Sequence, residues 1–191
     1  MTDRIRIQKE EILSNNWYTL RKITFDYKKN GVWKTLTREA YDRGNGAVIL
    51  LYNKEKKTVI LTRQFRLPTF INGNPDGMLI EACAGLLDLD NPEVAIKRET
   101  EEETGYQVKE VKKIFECYMS PGSVTELLHF FVAEYFKDEK INEGGGLDGE
   151  DIEVIELPFE QALSRVATGE IKDAKTIMLL YHARLEGLFE G

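Results

Sequence analysis

The chain reads as an α+β fold, a mixed sheet with a few helices on it, preceded by a small antiparallel β unit. Three observations lead there. Apolar runs at 47–52, 58–65 and 127–135 recur without a helix after each one, unlike the strand–helix alternation of a doubly wound sheet. Helix signals are confined to 92–104, 158–167 and 174–188. Residues 1–43 hold two strands around an Asn-Gly turn, and the Gly-rich break at 43–46 separates them from a main domain, 44–191.

The elements follow in order. Residues 1–15 are charged, with scattered Ile and Leu, and suit an edge strand or a lead-in. Ile23, Phe25 and Tyr27 alternate with Lys22, Thr24 and Asp26, a strand period. Asn30-Gly31 turns the chain, because both residues tolerate positive φ, and 32–41 returns. Two such strands bury little by themselves, so this unit is expected to pack on something else, such as a second subunit. Residues 47–52 are apolar throughout and predict a strand buried on both faces. A strand at 58–65, a loop at 67–77 rich in Pro, Asn and Gly, and a strand at 78–84 come next. After the 92–104 helix, 108–118 is one strand or a pair, and 127–135 is another strand. The acidic, Gly-rich stretch 137–151 reads as a mobile loop, followed by a strand at 152–157 and the last two helices.

Composition excludes several classes. Of 191 residues, 42% are apolar and 31% charged, as in an ordinary globular protein. A net charge of −7 argues against non-specific nucleic-acid binding, which needs basic surface. No run is apolar and long enough for a membrane span, and the N-terminus lacks the apolar core of a signal peptide. Cys83 and Cys117 read as free thiols of a reducing, cytoplasmic compartment, and two isolated histidines do not suggest a zinc site.

The 92–104 helix carries the chemistry. Pro92 suits a first turn capped by Asn91 or Asp90, and Gly105 suits the C′ position. Glu99, Glu102 and Glu103 then share one side, at i, i+3 and i+4, while Glu101 points away. Acids at a helix C-terminus oppose its dipole and repel one another. A divalent cation with oxygen ligands would relieve both penalties. A solvated acidic surface is the plain alternative.

The set Gly85 … Arg98-Glu99-Thr100-Glu101-Glu102-Glu103-Thr104-Gly105-Tyr106 resembles the signature of the Nudix hydrolases, a glycine loop followed by a helix reading R-E-U-x-E-E-x-G-U. Thr100 and Tyr106 depart from the bulky aliphatic U positions. Four residues, rather than five, separate Gly85 from Asp90, which stands where the family has Glu.

The resemblance implies an α/β/α sandwich and hydrolysis of a diphosphate linked to another group, with Mg²⁺ or Mn²⁺. It implies Glu99, Glu103 and the carbonyl of Ala84 as metal ligands, and Glu102 as a ligand or orienting group. Glu150, with Glu153 second, would be a late-loop ligand or base. Arg63 to Arg66, Ser120 to Glu126 and Glu150 to Ile152 look like the subgroup acting on nucleoside diphosphate sugars. Within that subgroup, the wording of stretches 41–53, 83–88 and 149–163 looks closer to the enzymes acting on GDP-mannose, cleaved to GMP and mannose 1-phosphate. ADP-ribose is the alternative, kept open by Pro121, 15 residues beyond Tyr106. A non-catalytic binding module is disfavoured because all three helix glutamates are present. Trp17, Thr37, Arg38, Glu39, Arg66, Gly85, Leu86, Glu126, Gly149 and Lys175 are the implied substrate contacts. Trp17 would stack on the base or sit inside the N-terminal unit. The subgroup also implies a homodimer with exchanged N-terminal strands.

Overall fold

Strand β4 (Gly46–Asn53) is buried along all but one of its residues, as its unbroken apolar run predicts. In this computed structural model, which describes residues 4–87, 90–147 and 149–190, the main sheet is built around it. β9 (Leu127–Glu134) lies parallel to β4 along nearly its full length. On its other edge β4 changes partner. Its C-terminal half pairs with β5 (Thr58–Phe65), Leu51 against Ile60. Its N-terminal end pairs with β7 (Ala84–Leu86), Val48 against Ala84 and Ala47 against Gly85. β5, leaving β4, pairs instead with β6 (Met78–Glu81). The expected strand at 78–84 is therefore two short strands, hinged where Ile49 N–H donates to the Cys83 carbonyl at 2.9 Å. β8 (Lys112–Tyr118) and β10 (Ile152–Pro158) complete the sheet, in the order β10-β5-β4-β9-β8.

Helices cover both faces. On one side Ala95 and Ile96 of α2 (Pro92–Thr104) pack with Ala47, Ile49, Leu51, Phe131 and Tyr135. Val48 and Leu50 point the opposite way by the period of a strand, toward the side carrying α3 (Phe159–Ala167) and α4 (Ala174–Leu185). The α/β/α sandwich implied by the sequence is present. α4 stops at Leu185 rather than 188, and the loop expected at 67–77 contains a short helix, α1 (Leu67–Ile71).

The chain divides into two units, Gly46–Cys117 with Leu128–Gly191, and Met1–Asn45 with Tyr118–Leu127. The second unit holds a three-stranded antiparallel sheet, β1 (Ile5–Asn15), β2 (Thr19–Lys29) and β3 (Val32–Asp42). Residues 118–127 join it through Tyr41 N–H to the Ser123 carbonyl (2.7 Å) and Thr125 N–H to the Tyr41 carbonyl (3.1 Å). None of its described residues is fully buried, and Ile5, Ile7, Ile12, Leu13 and Val32 are exposed.

The loop read as mobile is bound to the end of α2. Gly145 N–H and Gly146 N–H donate to the carbonyls of Glu103 (2.9 Å) and Glu102 (3.0 Å), and Ile141 N–H donates to Gly105 (2.8 Å). These bonds satisfy carbonyls that a helix end leaves open. Gly105 has φ +78°, and a Cβ there would stand 2.1 Å from the Asn142 carbonyl oxygen. Gly105→Ala should therefore cost about 1–3 kcal/mol in urea unfolding. Gly122→Ala, with nothing within 4 Å, should stay within about 0.5 kcal/mol of the parent. Equal stabilities would refute this account of the junction.

Candidate active site

α2 is set by local chemistry. Asn91 caps it, its side chain accepting from Glu93 N–H at 2.9 Å, and Gly105 ends it in the left-handed region. These ends fix the phase of the acids. Glu103 is only 6% exposed, Glu99 and Glu102 are partly covered, and Glu101 bonds outward to Gln107. Arg98 stands among the acids, 3.3 Å from Glu99, 3.9 Å from Glu102 and 3.8 Å from Asp90. The shortened loop from Gly85 to Asp90 falls partly on residues 88–89, outside the described residues.

β7 lies directly against these acids. Ala84 N–H donates to Glu103 Oε2 at 3.3 Å. A Cβ on Gly85 would meet Glu99 Cδ at 2.0 Å, so glycine lets the Glu99 carboxylate lie against the strand and a larger residue would push it away. Leu86, next along β7, pairs with Gly46. Burial pushes the Glu103 carboxyl up to about 7, with Glu99 adding to the rise, while the Cys83 thiol, Ala84 N–H and Arg66 oppose it. Burial likewise pushes the Cys83 thiol well above its usual range.

This arrangement suits a hard divalent cation. A buried carboxyl beside a second carboxylate resists ionisation until positive charge arrives, and both acids adjoin a backbone that can add an oxygen. Among the described residues no three acidic, His or Cys groups already converge into a cage.

A second charged group lies where β6 leaves β5. Glu81, 3% exposed, accepts from Arg66 Nε at 2.9 Å and lies 2.7 Å from its second terminal nitrogen. Its other oxygen accepts from Lys175 Nζ at 3.1 Å, and Lys175 also reaches Asp173 at 2.8 Å. Asp173 caps α4 through Thr176 N–H (2.9 Å), and the Thr176 hydroxyl accepts from Ala82 N–H (2.7 Å). Burial works against the charge of Arg66, but Glu81 outweighs it and Glu103 and Asp173 add to the upward shift. The structure thus brings Arg66, Lys175, Glu103, Glu99, Ala84 and Gly85 into one region. Sequence reasoning missed Glu81 and Asp173. Their signals were an acid ending the apolar run Met78-Leu79-Ile80, and an Asp-x-x-Thr cap.

Glu150 is exposed, and its carboxylate accepts from Leu147 N–H at 2.9 Å within its own loop, beside Gly146, whose N–H donates to the Glu102 carbonyl. Gly149 beside it has φ +99° and open space around it. Glu153, the second choice, lies 3.4 Å from Arg63 across β10 and β5.

The remaining candidates belong to the N-terminal unit. Trp17 is 87% exposed, touching the edge of Tyr18, so an interior Trp is not what the chain forms. Thr37, Arg38 and Glu39 sit on β3 opposite Thr24, Ile23 and Lys22. Arg38 donates to the Thr37 carbonyl at 2.8 Å. Glu126 lies 3.6 Å from Arg43, whose guanidinium stands 5.6 Å above the Tyr18 ring.

Comparison with known proteins accords with this geometry. The model of the GDP-mannose pyrophosphatase NudK N-terminal domain matches residues 4–41, and that of the NUDIX domain matches 42–180. Proteins described as GDP-mannose pyrophosphatase from Escherichia coli O1:K1 and Shigella dysenteriae serotype 1 are 58% identical over 191 residues, all of this chain and all of theirs. A crystal structure of an ADP compounds hydrolase shares the fold, with a TM-score of 0.73 over 98% of this chain and 97% of its own at 18% identity. With the Arg98-Glu99-x-x-Glu102-Glu103-x-Gly105 set carried by α2 and its C-cap, and the NUDIX model matched over residues 42–180, the chain belongs to the Nudix family.

Proposed function

We propose that this protein hydrolyses the diphosphate of GDP-mannose, giving GMP and mannose 1-phosphate, with Mg²⁺ or Mn²⁺. The observation that carries the reaction class is the buried Glu103 beside Glu99 under Gly85, a pair of acids that calls for a cation. The substrate is supported by the full-length relatives described as GDP-mannose pyrophosphatase. ADP-ribose is the second reading, favoured by Pro121 and by the ADP compounds hydrolase that shares the fold.

Glu99, Glu103 and the Ala84 carbonyl would hold the metal, and Glu102 would ligate or orient. When bound there, such a metal would supply charge neutralisation at the phosphate oxygens and a more readily deprotonated water. Arg66 and Lys175 receive the diphosphate, Arg66 through the guanidinium edge that Glu81 leaves open. Glu150, whose carboxylate accepts from Leu147 N–H, would serve as the late-loop ligand or base. Trp17 takes the base, Glu126 the sugar side, and Thr37, Arg38, Glu39, Leu86 and Gly149 complete the contacts. The N-terminal sheet covers its exposed Ile and Leu residues with a second copy of the chain, and the enzyme works in the cytoplasm. Light scattering should give the mass of two chains, and a fully active monomer would refute the exchange.

A hydrolysis panel with Mg²⁺, containing GDP-mannose, ADP-ribose and other nucleotide sugars, should show GDP-mannose first, with GMP as product. Glu103→Gln and Glu150→Gln should each lower kcat by about a hundredfold or more without unfolding the protein. Near-normal turnover in both would remove these residues from the mechanism.

The raised Glu103 carboxyl also links pH, metal and stability. Its folded pKa of about 7 exceeds its ordinary value of 4.5. In chelator, its stabilising contribution is complete below pH 4.5 and is lost as pH rises through about 7, on the order of 3 kcal/mol in all. Melting curves should thus show the parent losing ground to Glu103→Gln between pH 5 and pH 8, with Mg²⁺ restoring it at pH 8. A pH-independent difference would contradict this.

A further inference from the structure

We infer that Glu81 is a positioning residue. It holds Arg66 and Lys175 side by side so that two cations present themselves together to the substrate diphosphate. The inference rests on the reading that these two cations receive the diphosphate. Three observations carry it. First, Glu81 uses its two oxygens on different partners, Oε2 on Arg66 and Oε1 on Lys175. Second, the carboxylate is almost wholly buried, whereas Arg66 keeps 39% of its side chain exposed. One guanidinium edge is therefore fixed and the other is left for a ligand. Third, no local structure would bring the cations together. Arg66 follows β5 and Lys175 lies in the first turn of α4, and two like charges brought close together repel. An intervening carboxylate turns that repulsion into two attractions. Asp173 holds the ammonium from the other side and is itself pinned by capping α4. Neither cation depends on a flexible surface partner, so little ordering remains when an anion arrives.

The test is a mutant cycle read on kcat/KM for GDP-mannose, with Mg²⁺ titrated in each variant. Glu81→Gln keeps the shape and removes the charge. It should lower kcat/KM about tenfold or more, mainly through KM, with the Mg²⁺ concentration for half-maximal rate unchanged. In an Arg66→Ala/Lys175→Ala background the same substitution should cost less than about threefold, because its targets are gone. Glu81→Asp, charged but shorter, should recover part of the loss, which a purely structural role of the side chain's size would not produce. A folded Glu81→Gln protein with normal kcat/KM overturns the inference. So does an equal loss in the two backgrounds, or no recovery in Glu81→Asp. Failure of the underlying reading looks different. There Arg66→Ala/Lys175→Ala itself matches the parent, and the inference falls with it. Failure of the inference alone leaves that double variant impaired.

Discussion

Everything at the candidate site depends on the change of partner along one edge of β4. β5 pairs only with the C-terminal half of β4, and the vacated N-terminal end is taken by β7. That switch inserts Ala84 and Gly85 beneath the acids of α2. It also leaves the end of β5 paired with β6, so that Glu81 comes beside Arg66. One hydrogen-bonding exchange, centred on Ile49 and Cys83, therefore positions both the acid pair and the cation pair. A single straight strand at 78–84 would pair with one neighbour and bring neither arrangement about.

The two groups solve opposite electrostatic problems. On α2, like charges are gathered at a helix end that does not favour them, with Arg98 as partial relief. At the start of α4, two cations are gathered and fully offset by buried or capping acids. The first group retains a deficit of positive charge, visible in the raised Glu103 carboxyl, while the second retains none. Buried charges persist only when balanced, so the group with negative charge still to balance is the acid helix.

Much of this was legible in the sequence. α2 was read to its end residues because its limits are local: Asn91, Pro92 and Gly105 act on their own backbone. β4 was legible because burial on both faces leaves an unbroken apolar run. Features that depend on distant partners were not. The break between β6 and β7 reflects two different neighbours and leaves no turn residue in Ala82-Cys83. Glu81 meets Lys175 across 94 residues. The binding of the 137–151 loop to α2 was hidden because its glycines resemble those of a free linker, although Gly144 to Gly146 all take positive φ to reach the helix. The exposure of Trp17 was hidden for a related reason, since a lone aromatic in a strand-rich segment looks the same whether it packs inward or outward.

The balance among Glu81, Asp173, Arg66 and Lys175 has a consequence for what this surface recognises. Two positive and two negative side chains sum to nothing, and the neighbouring acids add further negative charge. A bare polyanion approaching from solvent gains no long-range attraction here and is repelled by a chain of net charge −7. An anion already carrying its own divalent counterion is spared that repulsion. The diphosphate proposed as substrate would accordingly meet this surface as a salt rather than an ion, and the directional guanidinium and ammonium donors would act only after contact, as a gauge of shape rather than a source of capture.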